Sequence, residues 1–194
     1  MLACSTLSTL DGAKTLDRGV VQVGGGISLQ SGASPATQAG IPLPQLDLGA
    51  RFALADDVDL GVRLYLLGVG ADVRYRFLHE GPWHLAAGAG IAGLPLGGSG
   101  SVESRFPLTA ERDFGAHVSL AAGPRLILRD QWNATQGGTV ARFDAFAGGM
   151  VRFEYTHRAF FLDVGGDLFA RPTRYAPPAW STLVAVGWRI PPRR

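Results

Sequence analysis

Leu46-Asp47-Leu48-Gly49-Ala50-Arg51-Phe52-Ala53-Leu54-Ala55-Asp56-Asp57-Val58-Asp59-Leu60-Gly61-Val62-Arg63-Leu64 reads as two strands folded on a tight acidic turn. Leu46, Leu48, Ala50, Phe52 and Leu54 share one face of the first strand, with Asp47, Gly49 and Arg51 on the other. In the second, Val58, Leu60, Val62 and Leu64 oppose Asp59, Gly61 and Arg63. Such a period of two is the mark of a strand with one apolar face. A half-buried strand in a soluble core shows the same period, so the surroundings decide. Here the apolar face recurs through nearly every later strand, and no helical segment follows to cover it. The pattern predicts a barrel with an apolar outside and a polar inside. In a bilayer only a closed barrel leaves no β edge and no unsatisfied backbone group.

Working outward, Val21, Val23, Gly25, Ile27 and Leu29 form the apolar face of a first strand, followed by a Pro- and Gly-rich loop over 31–44. After a turn at Gly68-Val69-Gly70, Ala71, Val73, Tyr75 and Phe77 oppose Asp72, Arg74 and Arg76. A turn at 79–82 opens a fifth strand at Trp83 to Ala92. A sixth has Val102, Ser104, Phe106 and Leu108 against Glu103, Arg105 and Thr109, with Pro107 removing one ladder donor. A seventh places His117, Ser119, Arg125 and Arg129 inward; an eighth does so for Arg142, Asp144, Arg152 and Glu154, and a ninth for Asp163 and Asp167. Trp180 to Ile190 is the last. The fold expected is therefore all-β: an antiparallel up-and-down transmembrane β-barrel of about ten strands, within the range of about 8 to 12 that this length allows. Long loops near 31–44, 94–100, 130–138 and 172–178 fall at one end, and short turns near 56, 80, 112 and 156 at the other. That asymmetry is the habit of outer-membrane barrels. Phe52, Phe77, Trp83, Phe114, Phe153, Phe160 and Trp188 map to the short-turn end, and Phe106, Phe143 and Trp180 toward the other, as interface girdles would.

Composition narrows the classes. The chain has 194 residues, enough for one domain, here divided into an N-terminal tether over 1–18 and a barrel over 19–194. Eighteen Lys and Arg against 16 Asp and Glu leave a net charge of +2, scattered along the chain, so no nucleic-acid patch is expected. The 27 glycines fall inside strands as well as in turns, where they relieve crowding beside large lumen side chains. One cysteine, Cys4, excludes an intrachain disulfide.

The motifs that could carry chemistry are weak. Gly88, Gly90 and Gly93 spell the G-x-G-x-x-G of a dinucleotide turn, but Leu94-Pro95-Leu96-Gly97-Gly98 cannot start the helix that the pyrophosphate needs. The four histidines, His79, His84, His117 and His157, lack metal-ligand spacing. His117 with Ser119 and Asp144 forms the one candidate hydrolytic set, and an ordinary polar network is the blander reading of the same residues. The lumen network expected is Asp47, Arg51, Asp59, Arg63, Asp72, Arg74, Arg76, Glu103, Arg105, His117, Arg125, Asp144, Arg152, Asp163 and Asp167. In a barrel this small those side chains fill the interior or line a narrow path.

Leu2-Ala3-Cys4 resembles the end of a bacterial lipobox, and Ser5 to Leu10, Thr15-Leu16 and Arg18-Gly19 resemble the spacer that follows it. The run Arg51 to Gly61 is similar to the second hairpin of small outer-membrane β-barrel lipoproteins of Gram-negative bacteria. Trp188 and Ile190 resemble the C-terminal signal read by barrel-assembly machinery. The resemblance implies lipidation at Cys4, residence in the bacterial outer membrane, and outer-membrane lipid and the assembly machinery as partners.

The expectation is thus a monomeric, non-enzymatic outer-membrane barrel, structural or narrow-pore, with no catalytic residues, metal, cofactor or nucleic-acid partner. Two readings stand beside it: a soluble lipocalin-like binder, which requires Arg63, Arg74 and Arg125 to point outward, and an outer-membrane hydrolase using His117.

Overall fold

The computed structural model describes residues 12–31, 43–65, 68–96, 99–135, 138–170 and 178–191. Ten strands follow one another: β1 (Val21–Ser31), β2 (Leu43–Ala55), β3 (Val58–Tyr65), β4 (Gly68–Glu80), β5 (Trp83–Leu96), β6 (Ser99–Phe114), β7 (Val118–Thr135), β8 (Gly138–His157), β9 (Phe160–Ala170) and β10 (Ala179–Ile190). Each pairs antiparallel with its sequence neighbours, and β1 pairs with β10 from Val21↔Ile190 to Ser31↔Trp180, which closes the ring. Closure gives every wall strand two partners, which is what a hydrocarbon solvent demands of the backbone.

Alternation sorts the side chains as the sequence predicts. Leu64 and Leu168 are 55% and 61% exposed on the outer face, whereas Asp59, Glu103 and Asp163 are 0% exposed inside. Arg63, Arg74 and Arg125 are buried within the lumen. The soluble-binder reading therefore lacks the outward arginines it requires. Phe52, Phe77, Trp83, Phe114, Phe153 and Trp188 lie exposed on the outer face near the short-turn end. Phe143 is exposed toward the opposite end, while Phe106 sits mid-strand.

The connections differ from expectation at one end. β5 runs to Leu96 and β6 starts at Ser99; β7 runs to Thr135 and β8 starts at Gly138. Residues 94–96 and 99–100, like 130–135 and 138, are hence strand rather than part of long loops. Their Gly and polar content reads as loop because it lacks the apolar alternation that marks the wall strands. Gly68 likewise begins β4 instead of making a turn. The expected loops over 32–42 and 172–177 lie outside the described residues. The wall is uneven in height: β7 and β8 have 18 and 20 residues, β9 and β1 have 11 each. β9 meets β8 only from Ala147↔Ala170 to His157↔Phe160.

Pro107 interrupts a ladder rather than ending a strand. β5–β6 pairing breaks between Ala87↔Leu108 and Gly90↔Arg105, and resumes on both sides. The glycines opposite large lumen side chains do relieve crowding. A Cβ at Gly24 would stand 2.9 Å from the Phe161 ring, and one at Gly148 would stand 2.6 Å from the Phe169 ring.

Candidate functional site

The charged side chains that alternation sends inward meet in two groups. Farther from the short-turn end Asp72 takes Arg51 in a short contact and Arg63 Nη2 at 3.3 Å. Glu103 takes Arg129 Nε at 2.7 Å and Arg105 Nη2 at 3.1 Å, while Arg105 Nη1 donates to the Tyr65 hydroxyl at 2.9 Å. Arg125 Nη1 lies 2.5 Å from Asp167 Oδ1, and Ser181 Oγ donates to the other oxygen at 2.8 Å. Asp47 accepts from Gln45 at 2.9 Å and from Ser28 at 3.3 Å.

Nearer the short-turn end, Arg152 Nε donates to Asp163 Oδ1 at 2.6 Å, and its Nη2 lies 3.1 Å from Glu154. Arg189 Nη2 completes the chain on Glu154 Oε1 at 2.7 Å. Arg74 pairs closely with Asp59. Buried charges persist in proteins when they are paired and hydrogen-bonded, as these are.

Of the expected network, Asp47, Arg51, Asp59, Arg63, Arg74, Glu103, Arg105, Arg125, Arg152, Asp163 and Asp167 are buried in the lumen and Asp72 is half-buried there. Arg76 and Asp144 stand at the two mouths, on Asp57 at 2.9 Å and Arg142 at 2.8 Å. His117 is a correction: it is exposed in the 115–117 turn, where its Nδ1 lies 2.9 Å from the Thr156 carbonyl oxygen. Gly115, at φ 79, bends the chain there and ends the parity that would carry His117 inward. Ser119 donates to Glu111 at 2.6 Å instead. Asp144 belongs to the opposite end, so the hydrolytic set His117, Ser119 and Asp144 is not brought together.

The set also omits residues that the lumen holds: Arg129, Glu111, Glu154 and His84 are buried in it. Strand parity already places the first three inward. The same parity places Phe146, Phe161 and Phe169 inward, where they are buried, although their apolar rings do not mark them as lumen residues by type. Phe146 and Phe169 join Ile127 and Ala179 in an apolar cluster, with the Arg129 guanidinium 4.7 Å from the Phe146 ring centre.

The described part of segment 1–18 lies inside the wall. Ala13 N donates to Glu111 Oε2 at 2.6 Å and Leu16 N to Asp59 Oδ1 at 3.1 Å. Arg74 Nη1 donates to the Gly12 carbonyl at 2.6 Å. Lys14 Nζ stands 2.7 Å from Asp113 and 3.3 Å from Glu111. Burial by itself would lower the lysine pKa, but the Glu111 charge and the Asp113 hydrogen bond outweigh it and hold the ammonium above its ordinary 10.5. Ala13 is 0% exposed and Leu16 is buried, so this stretch closes the short-turn end of the lumen. Cys4 lies outside the described residues.

Gly88, Gly90 and Gly93 all fall within β5, with Pro107 against Gly88 and no helix following. Among the described residues no three His, Cys, Asp or Glu side chains are grouped to hold a metal ion.

A closed antiparallel ring with an apolar exterior and an ion-paired interior is the architecture of an outer-membrane β-barrel. The chain is similar in fold to the outer membrane protein OprG from Pseudomonas aeruginosa, at 11% identity over 93% of this chain and 100% of that one, with a TM-score of 0.47. It is also similar to the N-terminal β-barrel domain of Pseudomonas aeruginosa OprF, at 13% identity over 90% and 100% of the two chains, TM-score 0.43. Neisserial surface protein A matches at 13% identity over 88% and 96%, TM-score 0.43. No protein-family model matches the chain, and no curated protein does.

Proposed function

We propose that this chain is an integral outer-membrane barrel with a structural role at the cell surface, without catalytic activity and with a non-conducting lumen. The observation that carries the reading is the filled interior. Seven buried arginines (Arg51, Arg63, Arg74, Arg105, Arg125, Arg129 and Arg152) and, at the edge, the half-buried Arg189 stand among lumen carboxylates. Residues 12–16 occupy the space left at one mouth, and the Phe146 cluster narrows the other. An interior near this strand number only just accommodates its own side chains. Outer-membrane lipid then contacts the apolar band, the assembly machinery inserts it as a monomer, and Cys4 supplies a second anchor if lipidated.

Planar-bilayer recording of the refolded full chain tests the lumen. The reading expects no stepwise current; a steady single-channel conductance in the resting protein would replace the structural reading with the narrow-pore one. Alkaline carbonate extraction of membranes tests the placement, with release into the soluble fraction as the outcome that contradicts it.

A further inference from the structure

At the short-turn mouth a bowl of about 480 Å³ opens between the N-terminal segment and the ends of β4, β8, β9 and β10. Its charged lining is Lys14, Arg76, Arg158 and Arg189, against the single carboxylate Asp17. Three of these cations are ion-paired: Lys14 with Asp113 and Glu111, Arg76 with Asp57, and Arg189 with Glu154. None of these acids lines the bowl. Arg158 has no ion pair or hydrogen bond among the described residues.

Arg158 also sits at φ 55 in the turn between β8 and β9, the only positive φ among described non-glycine residues. Glycine or asparagine is the ordinary occupant of such a position. A long cation is therefore placed at the rim where the backbone disfavours it. Fixed cations around one concavity, with one of them unengaged, make a site for an anion with several oxygens, which guanidinium forks grip well. The volume falls in the range of roughly 300–1,000 Å³ typical of small-ligand sites. On the outer wall beside it, the Phe160 and Trp188 rings meet edge-on at 5.9 Å, at the depth where aromatic belts meet lipid headgroups.

We propose that this bowl binds a phosphate-bearing ligand of glycerophosphate type, with Arg158, Arg76 and Lys14 taking the phosphoryl oxygens. The same chemistry reaches it from two sources, the headgroup of an anionic lipid in the adjoining leaflet or a free phosphomonoester. The lipid source rests on the membrane placement proposed above; the soluble source does not.

The full chain, refolded in a non-ionic detergent, is titrated calorimetrically with glycerol 1-phosphate. In parallel, native mass spectrometry counts retained phosphatidylglycerol against phosphatidylcholine. Arg158→Asn keeps the left-handed turn accessible, and Arg158→Lys keeps the charge. Arg112→Gln removes a cation that lies on the outer face at the same end, over Trp83 and Phe114. Heat-modifiable gel mobility confirms that each variant is folded. The proposal expects saturable binding of one or both probes, at least tenfold weaker in Arg158→Asn, largely restored in Arg158→Lys and unchanged in Arg112→Gln. Binding of glycerol 1-phosphate assigns a soluble ligand as sufficient, and retention of phosphatidylglycerol alone assigns the headgroup. Absence of both, or equal loss in Arg112→Gln and Arg158→Asn, overturns it.

Discussion

Replacing Arg152 with methionine removes one cation from a buried charge group of the lumen. Asp163, at 0% exposure, would lose its Nε hydrogen bond of 2.6 Å and the Nη2 group 2.5 Å from its other oxygen. Glu154 would keep Arg189 at 2.7 Å, so the damage concentrates on Asp163. Stripping one partner from a buried pair costs about 3–5 kcal/mol, because the survivor stays charged in a poor solvent. Asp163→Asn is milder, about 1–3 kcal/mol, since Arg152 retains Glu154 at 3.1 Å. The double variant should fall short of the sum by about 1–3 kcal/mol, the coupling of residues in one network. Guanidinium unfolding in lipid vesicles, followed by the fluorescence of the four tryptophans, measures all three. A loss under about 1 kcal/mol for Arg152→Met, or strict additivity in the double variant, would refute the claim that this ion pair is a desolvated structural element.

Lys14→Met should loosen the closing segment. Because the folded-state pKa is raised, the lysine contribution is complete below pH 10.5 and is lost as pH rises through the higher folded value. The gap in unfolding midpoint between parent and variant should thus stay constant from neutral pH to about pH 10 and close above it; a gap that closes near pH 8 would contradict the Glu111–Lys14–Asp113 arrangement. Gly187→Ala should abolish refolding, since its Cβ would run into the Val23 carbonyl across the β1–β10 seam and stand 2.6 Å from Phe161. Gly49→Ala, whose nearest neighbour would be 3.6 Å away, should change stability by no more than about 0.5 kcal/mol in the same assay. Val62→Arg, on the outer face of β3, should cost about 2–4 kcal/mol in vesicles if it lies near the bilayer midplane. A negligible change there would mean that this face does not meet lipid.

The alternation at Leu46 to Leu64 carries the strand directions, the closed wall and the inward charges, because period two is a local property and parity alone assigns faces. It stops being informative where that constraint lapses. Along 138–143 every residue of β8 is exposed, so the hairpin tip shows no face to read. Phe161 and Phe169 break the polar-inside rule because glycines on nearby strands, Gly24 and Gly187 for the first and Gly148 for the second, leave room for the rings. Lys14 and its neighbours have the composition of a spacer, and their burial depends on Glu111 and Asp113, 97 to 99 positions away. Contacts at that separation leave no trace in a window of neighbouring residues. His117 misleads for the opposite reason: its pattern is right up to one turn residue too far.

The segment carrying Ala13 and Lys14 runs directly into β1, and β1 joins β10 at the seam, yet its anchors Asp59, Arg74 and Glu111 stand on β3, β4 and β6. Those three strands must already curve toward one another before the anchors present a common seat. Seating of this stretch therefore waits on the curving of β3 to β6 into one wall. A burial-sensitive label at position 13 would then time the curving of those strands, and separate hairpins that had not yet curved together would leave it in water.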